Sequence, residues 1–218
     1  MTMHNFAIRI FLNHSIALAA IIGIIRFRSI APAYYPFLCI IWLGLLNESL
    51  SLFIIYNNRS NAVNSNIFVL AEYLLTLLQF YKWNNHSARG YYAAALAGAI
   101  VWITDNFALH HISENNSLFR VYYSLAVVFL SINQVNKLII YEKGNLLRNA
   151  TFIICMAFLF YFGCKAFIEA FNVLRFGLSD MFLRNLWIIL YFVSFITNLI
   201  YAIATVCIPA KQEFTLPY

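Results

Sequence analysis

Seven stretches of about twenty mostly apolar residues, separated by short polar connections, leave this chain few ways to fold. Residues 37–56 are representative: between Phe37 and Tyr56 the only charged side chain is Glu48. In hydrocarbon no water is present to satisfy backbone N–H and C=O groups, so a spanning segment must be a helix or part of a closed barrel. Runs of this length predict helices at roughly 6–25, 36–56, 65–82, 90–109, 119–140, 149–173 and 185–208. Aromatic residues crowd the ends of the runs, at Tyr34–Tyr35, Tyr81 with Trp83, Tyr91–Tyr92 and Tyr122–Tyr123. Amphipathic rings favour the headgroup level, which supports the same reading independently.

The expected fold class is therefore an all-α integral membrane protein, with residues 1–218 forming one seven-transmembrane-helix bundle. Composition agrees: 63% of residues are hydrophobic and 10% charged, whereas an average soluble domain is about a quarter charged. The segment "MTMHNFAIRIFLNHSIALAAIIGIIRFR" lacks the basic start and small-residue cleavage site of a secretory signal, so it is read as the first span. The excess of 14 Lys+Arg over 8 Asp+Glu does not suggest nucleic acid, because the basic residues lie singly in the connections. Helices joined by short loops alternate in direction. Arg26, Arg28, Lys82, Arg89, Lys137, Lys143, Arg148 and Lys211 fall on one side, and Arg9, Arg59, Arg120, Arg175 and Arg184 on the other. The positive-inside rule then predicts an external N-terminus and a cytoplasmic C-terminus in a multi-pass protein of the cell membrane.

Away from the span ends, the second, third, fourth and sixth spans carry five carboxylate or amine side chains: Glu48, Glu72, Asp105, Lys165 and Glu169. Such residues are costly in a membrane and are functional candidates by default. At about 1.5 Å of rise per residue, Glu48 and Glu72 fall within about 3 Å of the midplane, Asp105 about 7 Å from it, and Lys165 and Glu169 about 5 to 11 Å from it. All five displacements point to the same side, which predicts a shared polar cavity open to that side. Arg9, Asn13 and His14 extend the group, with His110 and His111 at its rim. Polar stripes at helical spacing, Tyr161–Lys165–Glu169–Asn172 and Tyr191–Ser194–Asn198–Tyr201–Thr205 among them, should face protein or water. The competing reading is structural: polar residues also hold membrane helices together, and Lys165 and Glu169 at i,i+4 can neutralise each other. A second polar group, "SINQVNK", lies toward the opposite side and is expected to bond neighbouring helices.

Several specific chemistries lack their residues. No lysine occurs in the last span, where seven-helix retinal proteins hold their chromophore. Spans two, three, five, six and seven contain no histidine for a zinc hydrolase of the ceramidase kind. The cysteines show no CxxC spacing. No cofactor or metal is expected. The prolines lie in connections or at helix ends and no internal repeat is evident, so a straight, rather static bundle is expected, favouring binding over alternating-access carriage. The expected function is that of a receptor- or sensor-like module that binds a small cationic, zwitterionic or lipid ligand through Glu48, Glu72, Asp105, Lys165 and Glu169. With only "PAKQEFTLPY" after the last span, its output is expected to pass through a cytoplasmic or membrane partner. The alternatives are an intramembrane lipid-directed hydrolase using carboxylate acid–base chemistry, or a proton or small-molecule transporter.

Overall fold

The computed structural model describes residues 10–84, 88–142, 144–174 and 179–211. Among them are seven helices long and apolar enough to cross a membrane, with spans of 20 to 27 residues. We number them α1 (Ile16–Arg26), α2 (Tyr35–Tyr56), α3 (Ala62–Asn84), α4 (Ala88–Ile103), α5 (Leu118–Tyr141), α6 (Ala150–Leu174) and α7 (Asp180–Cys207). Residues 10–14 form a further helical turn before α1, interrupted at Ser15, whose hydroxyl donates to the Leu12 carbonyl at 2.6 Å. No strand is present among the described residues, only an isolated bridge between Ile30 and Ala210.

Several helices outrun the apolar stretches that announce them. Helix α3 begins at Ala62 and α7 at Asp180, a few residues before the expected positions. Hydropathy marks where a chain meets lipid, whereas the helix continues into polar residues able to cap it: Ser179 Oγ accepts from the Phe182 amide at 3.3 Å. At the other end of the α2–α3 hairpin, Asn58 adopts φ 54°, a left-handed geometry that asparagine tolerates and that stops α2. The expectation of a straight bundle needs one correction. Helix α4 does not finish regularly but widens into a π turn over Thr104–Leu109.

Each helix packs against its neighbours in sequence, and α7 returns along α1, closing a ring. Helix α3 also touches α5 directly, which leaves α4 on the outer side of that pair as the least buried span. Exposed Ile, Leu, Phe and Val side chains such as Ile25, Phe53, Ile67, Leu96, Phe129, Phe167 and Ile203 cover the outward faces of all seven helices. An apolar exterior around a more polar interior suits a hydrocarbon surround.

The interior differs along its length. Toward the start of α2 it is filled by aromatic rings. Phe37 and Phe158 both meet Tyr201 edge-on, at 5.4 and 6.0 Å, and Tyr123 lies 4.9 Å from Phe162. Two polar side chains in this closed half, Gln79 and Arg26, serve the backbone. The Gln79 side chain accepts from the Phe37 amide at 2.7 Å and donates to the Ala33 carbonyl at 2.8 Å, satisfying the first turn of α2. Arg26 of α1 donates to the carbonyls of Thr205, Val206 and Ile208, where the unpaired carbonyls of α7 favour a cation. Lys137, from the second polar group, donates to Asn84 Oδ1 at 2.8 Å and so ties α5 to α3.

Close packing of α4 depends on Gly98. The Tyr73 ring lies so near that a Cβ on Gly98 would fall 2.1 Å from its Cε1, while the Tyr73 hydroxyl donates to the Ala94 carbonyl at 2.7 Å. Gly98→Ala is expected to destabilise the bundle by about 1–3 kcal/mol through overpacking. Gly90→Ala, where a Cβ meets nothing within 4 Å, should be neutral or slightly stabilising. Thermal unfolding of the two variants in the same detergent checks the difference, and equal effects would contradict this account of the α3–α4 contact.

Candidate functional site

Where the aromatic filling ends, at the level of Tyr161, the ring encloses a cavity of about 840 Å³. It lies in the half of the bundle toward which α2 and α6 run, and the connections holding Ser60, Asn61, Glu114 and Asn115 rim its mouth. Its walls carry Asn13 before α1, Asn47, Glu48 and Ser51 on α2, Arg120 on α5, and Lys165, Glu169 and Asn172 on α6. Trp187, Tyr191 and Ser194 on α7 complete them.

Glu48 stands on the α2 wall and accepts from Asn13 Nδ2 at 3.0 Å. Its neighbours are held by amides. Asn64 Nδ2 donates to Asn47 Oδ1 at 2.9 Å, and Asn61 Nδ2 to Ser51 Oγ at 2.9 Å, so the end of α2 is tied to the beginning of α3. A small crevice between residues 10–14 and α2 reaches Glu48 from its other side, through Ile10, His14 and Leu52.

The opposite wall holds two ion pairs. Nearer the mouth, Arg120 Nη1 stands 3.9 Å from Glu169 Oε1. One helical turn deeper, Lys165 Nζ stands 3.9 Å from Glu72 Oε2. Both separations exceed a hydrogen bond, so each pair is electrostatic contact without a shared proton bridge. Glu169 is 1% exposed; its Oε2 accepts from Ser117 Oγ at 2.6 Å. Lys165 is 5% exposed and surrounded by the rings of Tyr123, Tyr161 and Phe162, with its Nζ 5.4 to 5.5 Å from their centroids. Those faces attract a cation but accept no ordinary hydrogen bond from it.

Arg120 is fixed from behind. Its Nε donates to the Asn116 carbonyl at 3.0 Å and its Nη2 to Ser65 Oγ and Asn66 Oδ1 at 2.9 and 3.1 Å. Asn66 in turn donates to the carbonyls of Ile112 and Glu114, and Asn116 to Asn106 Oδ1, so the α4–α5 connection is stitched to α3 through amides.

The structure thus brings Glu48, Lys165 and Glu169 to one cavity and sets Glu72 behind Lys165 as its counter-ion. Asp105 is placed differently. It is 0% exposed, its Oδ2 accepts the Phe119 amide at 2.8 Å, and its Oδ1 stands 3.0 Å from His110 Nδ1. Ser117 precedes α5 but gives its hydroxyl to Glu169, and Asp105 caps that helix from α4 instead, helped by the wider π turn. His110, its partner, reaches the cavity wall. Among the described residues no three His, Cys, Asp or Glu side chains converge to hold a metal. Arg9 lies outside the described residues.

Arg120, Asn66, Asn116 and Ser117 escape the sequence reading. Arg120 counts there as a loop charge, yet it sits in the first turn of α5, and its spacing to Tyr123, Val127 and Gln134, all buried, is the signal that it faces inward.

These features define an α-helical multi-pass membrane bundle with a polar cavity closed at one end by aromatic packing. No protein-family model, no curated protein and no solved structure matches the chain.

Removing the cap separates the two kinds of polar residue. Asp105→Ala is expected to cost about 1–2 kcal/mol, the usual range for a lost helix cap, and to raise hydrogen exchange at residues 118–121 before the rest of α5. Unchanged exchange there would mean that Asp105 does not hold the start of α5.

Proposed function

We propose that this protein is a ligand-binding membrane protein of the receptor or sensor kind. In this reading it sits in the cell membrane with its N-terminus outside and its C-terminus in the cytoplasm, admits a small polar molecule from outside, and passes the event to a partner. The observation that carries the reading is the cavity itself. About 840 Å³ of space is lined by Glu48, Arg120, Lys165 and Glu169 together with amides and hydroxyls, inside a ring of helices whose outer faces are apolar. A bundle needing polar residues only as glue would bring them into mutual contact and leave no space between them. Here the opposing charges stay 3.9 Å apart while Arg120 is held from behind by Ser65 and Asn66. Rigid walls, a few convergent polar groups and aromatic faces at Tyr161, Trp187 and Tyr191 are the usual ingredients of a small-molecule site.

The reading is tested by filling the space without removing a polar link. Ser194 lines the cavity from α7. Ser194→Trp should expel a bound molecule and leave the empty bundle folded. Native mass spectrometry of gently extracted protein is expected to show a small molecule in stoichiometric amount on the wild type and at least tenfold less on the variant. That difference corresponds to about 1.4 kcal/mol or more of binding free energy. An empty wild type, or equal retention by both, would return the cavity to a structural role.

A further inference from the structure

Lys165 is a buried donor without an acceptor. Its ammonium carries three N–H groups, yet among the described residues its neighbours are three aromatic rings and one carboxylate 3.9 Å away. Arg120 repeats the pattern one turn nearer the mouth. Its Nε and Nη2 are hydrogen-bonded, while the nearest anionic partner of Nη1 is Glu169 at 3.9 Å. A desolvated cation that makes no hydrogen bond is expensive, and buried polar groups as a rule are satisfied by protein, water or ligand. Rings enclose Lys165 from the closed end of the bundle, so an acceptor reaches it from the cavity.

Resting on the binding reading above, we infer that the ligand is a zwitterionic carboxylate of the amino-acid or betaine class, whose carboxylate is taken at the cavity floor by Lys165 with Arg120 beside it. The charge balance selects this class. The two ion pairs sum to zero and Glu48 and Glu114 add two negative charges, so an anion arriving alone would add to an existing negative excess. A zwitterion brings its own compensating cation. Glu48 on the facing wall and Glu114 at the rim provide carboxylates on the side toward which a cationic end would extend, with Trp187, Tyr191 and Tyr161 as faces for it. A phosphate dianion would exceed what one ammonium offsets.

The experiment uses the full chain in lipid nanodiscs. Thermal stability is measured with glycine betaine and with α-, β- and γ-amino acids, each beside its methyl ester, and with choline. The molecule that co-purifies with gently extracted protein is identified in parallel. The acids are expected to raise the melting temperature with at least tenfold greater apparent affinity than their esters. Lys165→Met should abolish the response, and the acid–ester comparison on the wild type stands even where that variant fails to fold. Esters or choline acting as well as the acids, or a co-purifying molecule lacking a carboxylate, would overturn the carboxylate inference and leave the binding reading intact. No co-purifying molecule together with no stabilisation by any probe would overturn both.

Discussion

The guanidinium of Arg120 is the tie on which the cavity depends. One planar group reaches Ser65 and Asn66 of α3, the carbonyl of Asn116 in the α4–α5 connection and, at longer range, Glu169 of α6. A fork of fixed geometry suits this work better than a flexible ammonium would. Because Asn66 also binds the carbonyls of Ile112 and Glu114, the backbone of a connection that would otherwise need water is satisfied within the bundle. Without that arrangement the α4–α5 connection would lose its tie to α3, and Glu169 would lose its cationic neighbour.

Two packing regimes share one ring of helices. In the closed half, Phe37, Phe80, Tyr123, Phe158, Phe162 and Tyr201 fill the axis, and Gln79 and Arg26 are spent on helix ends. In the open half charged and amide side chains line the space together with apolar ones, and the opposing charges of its two ion pairs stop short of hydrogen bonding. Tight ion pairs would suit a purely structural interior, since a buried pair recovers its desolvation cost only with excellent geometry and further hydrogen bonds. The 3.9 Å gaps forgo part of that recovery.

Much of this was legible in the chain, and the boundary of legibility is physical. Hydropathy locates the spans because lipid contact demands long apolar runs. Rise per residue then gives height along the membrane normal, enough to put Glu48, Lys165 and Glu169 on one level. Height says nothing of azimuth. Asp105 stands at a comparable height but is turned by the π segment Thr104–Leu109 toward the start of α5, a displacement that regular helical spacing misses. Arg120 is misread for another reason: at the very start of the expected span 119–140, next to "SENNSLF", it counts with the basic residues of the connection, whereas its neighbours at i+3 and i+7 belong to the core. The amide clamps of Asn64, Asn66 and Asn116 join partners far apart in sequence, and nothing local announces such pairings.

The return of α7 onto α1 sets an order of assembly. Arg26 waits for the carbonyls of Thr205, Val206 and Ile208, and Ser15 for Asn198, partners about 180 residues later. Trp187, Tyr191 and Ser194 supply one whole wall of the cavity. Six inserted helices therefore make an open arc whose charged side chains face an unfilled gap, and only the last helix turns that arc into a vessel. A chain of this kind gains its capacity to hold a molecule only once α7 has joined α1.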